Sequence, residues 1–145
     1  MEYISYKKGY KYQLVENYST EIPIKPDDDI ESDFIILSNK GQITIKKGYA
    51  WDGPSGPTID TSNFMRGSLI HDAIYQLMRE GGLDNKKHRE PADKLLQQIC
   101  KDDGMAPMRA WWVYIGLRFG GSPAADPENI RPVVMAPKSG ESIIA

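Results

Sequence analysis

The spacing of hydrophobic positions changes about halfway along the chain. In the first fifty residues apolar and polar positions alternate in short runs, as in 42–47 (QITIKK), where Ile43 and Ile45 would share one face of a strand. From Phe64 onward apolar residues recur every three or four positions, which is typical of amphipathic helices. The sequence therefore predicts an α+β fold, with small N-terminal antiparallel β hairpins followed by a three-helix half.

Two hairpins are predicted, each with two strands around a short turn that ends in glycine, a residue such turns favour. Their strands and turns are residues 3–6, 7–9 and 10–15 in the first hairpin, and 34–37, 39–41 and 42–45 in the second. The prolines at 23 and 26 and the three aspartates at 27–29 predict a solvated loop between the hairpins.

Three helices are predicted, each followed by glycine. They span residues 64–80, about 90–103, and 107–119. Pro91 is acceptable in the first turn of the second helix. The loop between the first two helices predicts an antiparallel helical hairpin.

Residues 49–63 (YAWDGPSGPTIDTSN) form a long irregular segment between a strand and a helix, a pattern typical of functional loops. The segment after residue 121 carries four prolines and few large apolar residues. We therefore predict a single α+β domain over 1–121 and an extended or mobile proline-rich tail over 122–145.

Composition and charge exclude several classes of protein. A formal net charge of -2 disfavours nucleic-acid binding. The longest apolar stretch, at 110–117, is far short of the roughly 20 residues that span a bilayer, so no transmembrane segment is expected. The N-terminus lacks the apolar core of a signal peptide, and Cys100 is the single cysteine. We expect synthesis in a reducing cytoplasm, without secretion by a signal peptide.

The candidate chemistry lies on the first two helices. His71 and Tyr75 are four residues apart and share a helical face, and Asp93 shares the apolar face of the next helix with Cys100. In an antiparallel pair, Asp93 could accept the ring N–H of His71 and hold one tautomer. A catalytic dyad and a structural hydrogen-bond network both fit this spacing, since buried polar groups require partners.

Asp72 follows His71 directly, and the glycine-rich loop precedes the same helix. Backbone carbonyls together with a carboxylate are a calcium-type ligand set. The sequence therefore predicts a cation near Asp72, with calcium as the candidate cofactor.

Three pieces of the sequence carry a family resemblance: residues 52–57 (DGPSGP), 71–75 (HDAIY) and 91–93 (PAD). They resemble the D-G-x-S-x-P, H-D-x-x-Y and A-D signature of a phage and prophage family known only as a domain of unknown function. The resemblance covers roughly residues 10–121.

The same order of motifs is similar, more distantly, to the phospholipase A-two domain of parvovirus capsid proteins. That resemblance implies that His71 is the general base, that Asp72 binds calcium, that Asp93 orients His71, and that Tyr75 hydrogen-bonds Asp93. The backbone carbonyls it implies for the metal site lie near Trp51, Gly53 and Gly56.

Three hypotheses follow. The leading one is a phage-encoded hydrolase acting on a phospholipid or another ester. The second is a non-enzymatic phage component, either virion or tail-associated or host-modulating, whose His/Asp/Tyr network is structural. A zinc enzyme acting on cell-wall peptide is disfavoured because the chain has two histidines, and His88 lies in a charged segment interpreted as a solvated loop. The tryptophans and Met65 are interpreted as core rather than as an acyl channel.

Overall fold

The computed structural model describes residues 4, 6–7, 12–51 and 62–120. The chain divides into two compact units, and the described residues up to 51 belong to one unit while residues 62–120 belong to the other. The first is built of antiparallel strands and the second of helices, so the α+β prediction is confirmed. The prediction of a single domain over 1–121 remains a prediction, and the tail at 122–145 lies outside the described residues.

The β unit contains two antiparallel sheets. The strands are β1 (Tyr6–Lys7), β2 (Tyr12–Leu14), β3 (Tyr18–Glu21), β4 (Ile30–Glu31), β5 (Ile35–Leu37), β6 (Gln42–Ile45) and β7 (Ala50–Trp51). One sheet has the order β1-β2-β7 and the other has the order β3-β6-β5-β4. Buried positions alternate with more exposed ones along β5 and β6. The buried positions contribute four fully buried side chains to the core: Ile35, Leu37, Ile43 and Ile45.

The second predicted hairpin is confirmed. β5 pairs with β6, Ile36 opposite Thr44, and Gly41 closes the turn with φ +89°, a left-handed conformation that glycine adopts without strain. The first hairpin has a different register: Lys7 pairs with Gln13, so Lys7 lies in the strand and not in the turn. Residues 8–11, which connect the two strands, lie outside the described residues.

Strands β3, β4 and β7 were not expected from the sequence. β4 and β7 have two residues each, which is too short to show a period, and β3 (YSTE) carries mostly polar residues. All three are edge strands that form by pairing with a neighbour. The irregular segment predicted from residue 49 therefore begins with a short strand, and residues 52–61 lie outside the described part.

The helices are α1 (Ser62–Arg79), α2 (Asn85–Asp102) and α3 (Pro107–Gly120). α1 and α3 agree closely with their predicted bounds, but α2 begins about five residues earlier than expected. Its N-cap is Asp84, whose carboxylate accepts the backbone N–H of Lys86 at 3.1 Å. Residues 83–89, which belong to the loop predicted between the first two helices, are therefore mostly helical. His88 lies on that helix, and Pro91 lies inside it rather than in its first turn.

α1 and α2 form the predicted antiparallel hairpin. Arg66, near the start of α1, makes a two-bonded ion pair with Asp103 just past the end of α2, through Nε–Oδ2 at 3.0 Å and Nη2–Oδ1 at 2.9 Å. Gly67 lies where the two helices approach closely. A Cβ there would lie 2.6 Å from Leu96 Cδ1 and 3.1 Å from Cys100 Sγ.

The helical core joins all three helices. One cluster of this core consists of Phe64, Leu96, Cys100, Met105 and Ala110, with Val113 and Leu117 packed against them. The core interpretation of the tryptophans is wrong for two of them, because Trp111 is 47% exposed and Trp112 is 61% exposed, although Trp51 and Met65 are buried. α3 is apolar around most of its circumference, so its core-facing side cannot cover all of its apolar residues. None of the described helices is long and apolar enough to cross a membrane.

Gly67→Ala should lower the free energy of unfolding by about 1–3 kcal/mol relative to Gly116→Ala. At Gly67 the added methyl group would press on Leu96 and Cys100, whereas at Gly116 it would meet no atom within 4 Å. Both changes bring a similar gain in helix propensity of about 1 kcal/mol, so their difference isolates the packing. Urea unfolding measures both variants, and equal stabilities would show that the helices tolerate a side chain at 67.

Candidate functional site

The carboxylate of Asp93, on α2, is fully buried and has partners on both other helices. Its Oδ1 lies 2.7 Å from His71 Nε2 and accepts the hydroxyl of Tyr75 at 2.6 Å. Its Oδ2 accepts Arg118 Nη1, from α3, at 2.9 Å. The structure thus brings together the three residues that the sequence predicts as catalytic, and adds an arginine that it does not predict.

The spacing of His71 and Tyr75 along α1 explains why both side chains bind the same oxygen, Oδ1 of Asp93. His71 and Tyr75 are one helical turn apart, and their ring centroids are 4.1 Å from each other. Both rings therefore extend from the same side of α1 toward Asp93. The contact is possible because α2 packs close to α1.

The contacts decide the ionisation of Asp93. Burial favours the neutral acid, but hydrogen bonds from His71, Tyr75 and Arg118, together with the charge of His71, outweigh it and lower the pKa of Asp93. For Tyr75, burial and the hydrogen bond to Asp93 raise the pKa, so the phenol stays a neutral donor. The site is therefore centred on a buried carboxylate that stays ionised.

His71 faces two carboxylates. Its side chain is 7% exposed, and Nδ1 lies 3.9 Å from Asp72 Oδ1, too long for a hydrogen bond but short enough for an ion pair. Burial opposes the charged ring, yet Asp72 and Asp93 together outweigh burial and raise the pKa of His71. The neutral ring consequently binds a proton more strongly than a solvated histidine does, which suits a general base.

The hydrogen bond to Asp93 also decides the tautomer. A carboxylate can only accept, so the ring proton lies on Nε2. In the neutral ring, Nδ1 then carries the lone pair, on the side of Asp72. The side chain of Asp72 on this edge of the ring is 36% exposed, whereas Asp93 on the opposite edge is fully buried. The arrangement can take a proton at Nδ1 while Asp93 holds the opposite edge of the ring.

The predicted metal ligands are only partly placed. Asp72 lies on α1, Trp51 ends β7 in the other unit, and Gly53 and Gly56 lie outside the described residues. Among the residues that the structure describes, no three His, Cys, Asp or Glu side chains form a group that could hold a metal ion. The calcium site therefore remains a prediction.

Sequence reasoning missed two arginines. Arg118 contacts Asp93, and Arg89 Nη2 donates to the backbone carbonyls of Leu117 at 3.2 Å and of Arg118 at 2.7 Å. A basic residue in the last turn of a helix ordinarily indicates an interaction with the helix dipole. No local pattern could show that Arg118 reaches across to α2.

Fold and site together define an α+β protein with a buried histidine–aspartate–tyrosine–arginine cluster. The chain belongs to the family described as "Protein of unknown function (DUF1353)", which matches residues 29–117 and so includes His71, Tyr75 and Asp93. No curated protein and no solved structure matches the chain. The expected membership of a family of unknown function is confirmed.

Asp93→Asn should lower the free energy of unfolding at neutral pH by a few kcal/mol, because the half-buried guanidinium of Arg118 loses its charged partner and the buried ring of His71 loses its carboxylate acceptor. Asp102→Asn is the matched control, since Asp102 is an exposed carboxylate on the same helix, and it should change stability by less than about 0.5 kcal/mol. Urea unfolding measures both. Equal effects would show that the cluster does not stabilise the helices.

The same pair predicts a pH dependence. Because the folded-state pKa of Asp93 is lowered, its carboxylate contributes stability that is fully present above about pH 4. That contribution is lost as pH falls through the lowered pKa. The stability gap between the wild type and Asp93→Asn should therefore narrow below about pH 4. A gap that stays constant into acid would contradict the ionised state of Asp93.

Proposed function

We propose that this protein is a hydrolase in which His71 is the general base and Asp93 and Tyr75 orient it, acting on the ester of a lipid. The observation that carries the proposal is the 2.7 Å contact between His71 Nε2 and the buried Asp93. It leaves Nδ1 as the nitrogen able to take a proton. A histidine fixed in this way by a carboxylate is a recurring arrangement in enzymes that activate a nucleophile.

The reaction would begin with a water molecule on the Nδ1 side of His71. Nδ1 takes one proton as the water oxygen bonds to the ester carbonyl carbon, which gives a tetrahedral intermediate with its negative charge on the former carbonyl oxygen. The intermediate then breaks its bond to the alkoxy oxygen, which receives the proton from His71 and leaves as an alcohol. Asp93 stays ionised throughout and stabilises the transient imidazolium.

Asp72 is the side chain on the helices that would hold calcium. Its oxygens are hard ligands of the kind calcium prefers, and the side chain is 36% exposed. One carboxylate is far from a complete set, and the phospholipase resemblance implies further ligands from the backbone carbonyls near Trp51, Gly53 and Gly56. When bound, calcium would polarise the ester carbonyl.

The sequence resemblances support the substrate class. The motifs around His71 and Asp93 resemble the phospholipase A-two domain of parvovirus capsid proteins, and the wider signature resembles a phage and prophage family. We therefore place the proposed enzyme in a phage, made in the host cytoplasm and associated with the virion. Phospholipids are the first substrates to test.

A second candidate function has its own support. Asp93 is fully buried and is bonded from both other helices, as a structural network requires. In this alternative the protein is a non-enzymatic virion, tail-associated or host-modulating component. The cluster would then serve only to hold the three helices together.

His71→Gln should reduce ester hydrolysis by on the order of 10²–10⁴-fold, because it removes the general base. His88→Gln is the matched control, since it changes the other histidine of the chain and should leave turnover unchanged. Fatty-acid release from phosphatidylglycerol vesicles, with calcium present, measures the activity.

Unchanged turnover in a folded His71→Gln preparation would exclude His71 as the base. The structural alternative instead predicts no turnover in the wild type, together with a lower free energy of unfolding for His71→Gln.

Calcium should bind saturably to the wild type, and Asp72→Asn should abolish that binding because it removes the charged ligand. Asp102→Asn, an exposed carboxylate change elsewhere, should leave it intact. Isothermal titration calorimetry with calcium chloride measures all three proteins. Binding that survives in Asp72→Asn, or no binding in the wild type, would contradict the calcium assignment.

A further inference from the structure

We infer that Arg118 is a positioning residue that keeps the Asp93 carboxylate turned toward His71. Arg118 Nη1 donates to Asp93 Oδ2 at 2.9 Å, whereas His71 and Tyr75 both use Oδ1. The inference rests on the proposed function for its catalytic consequence alone. The orientation of the carboxylate can be tested without activity.

A hydrogen bond to Oδ2 of Asp93 restricts the rotation of its carboxylate group. Rotation about this sp³–sp² bond has a broad, roughly two-fold profile, so its own preference fixes the orientation weakly. Asp93 is fully buried in the intact chain, so its two oxygens are satisfied by these side-chain donors and not by bulk water. Arg118, bound to the second oxygen, therefore limits the rotation that would carry Oδ1 away from Nε2 of His71.

Arg118 also differs from the other two partners in charge. Tyr75 is a neutral donor, and His71 is uncharged whenever it is ready to accept a proton. The guanidinium of arginine keeps its charge in proteins. Asp93 therefore keeps one permanently cationic partner in both protonation states of His71.

Residues of α2 bind both the backbone carbonyl and the guanidinium of Arg118. Arg89 Nη2 donates to the backbone carbonyl of Arg118 at 2.7 Å, and Asp93 accepts its guanidinium. Arg89 and Asp93 are four residues apart, so they lie on one face of α2. The last carbonyls of a helix have no partner within that helix, and Arg89 satisfies two of them in α3. The end of α3 is thus fixed where Arg118 can reach Asp93.

The test follows the ring proton of His71 by NMR in the full-length, ¹⁵N-labelled chain. In Arg118→Met, exchange of the Nε2 proton with water should quicken on the order of tenfold, because a hydrogen bond to a charged group is lost next to it. Arg118→Lys keeps the charge without the planar fork, so its exchange rate should lie between those of the wild type and Arg118→Met.

Lys94→Met is the matched control. Lys94 is adjacent to Asp93 in sequence, but its side chain is 64% exposed, and the change removes one positive charge without touching the cluster. Its ring proton should exchange at the wild-type rate. If Arg118→Met does not fold, Arg118→Lys carries the comparison with Lys94→Met.

Unchanged exchange in a folded Arg118 variant would overturn the inference, whatever the enzyme does. Faster exchange together with no ester hydrolysis by the wild type would support the positioning role and reject the proposed function. If the wild type is active, kcat should fall in Arg118→Met while KM changes little, because the inferred role of Arg118 is exerted through Asp93 and not on the substrate. An unchanged kcat would overturn the catalytic part of the inference.

Discussion

A carboxylate removed from water has to be matched by donors, and Asp93 is the point where this requirement organises the helical unit. Two donors come from α1 and one from α3, and together they occupy both oxygens. Burying an ionised group without such partners is strongly unfavourable. The same three contacts that make its burial possible also fix the orientation of His71. The contacts that stabilise the helix packing therefore also set the geometry of the candidate site.

Asp93 can reach its donors on α1 only if α1 and α2 pack closely. Gly67 lies one turn before His71 and permits the approach, because the space of a side chain is taken by Leu96 and Cys100. Arg66 directly precedes Gly67, and it holds the same pair of helices together through two charge-assisted hydrogen bonds to Asp103. A residue without a side chain thus helps to set the position of Asp93, alongside the charged residues that contact it.

The sequence predicts those site residues whose contacts follow from the helical repeat and from a short connection between helices. It does not predict contacts that depend on how more distant segments pack. His71 and Tyr75 are one turn apart, and a short connection brings α2 back alongside α1, so local periodicity suffices to bring them to Asp93. Arg118 depends on how α3 crosses α2, which no periodicity encodes. The start of α2 was misplaced because Pro91 resembles a helix start, whereas the cap is Asp84. The two-residue strands form by pairing and leave no pattern of their own.

Cys100 gives this helix interface a chemical reporter. It is the single cysteine, it is fully buried where Gly67 approaches α2, and burial raises the pKa of its thiol to about 12. Thiol reagents react with the thiolate, so the folded protein should be almost inert to them. Modification then requires α1 and α2 to separate, and its rate follows how often they do so. The rate at which Cys100 is modified thus measures how often the interface between α1 and α2 opens, with no label introduced into the chain.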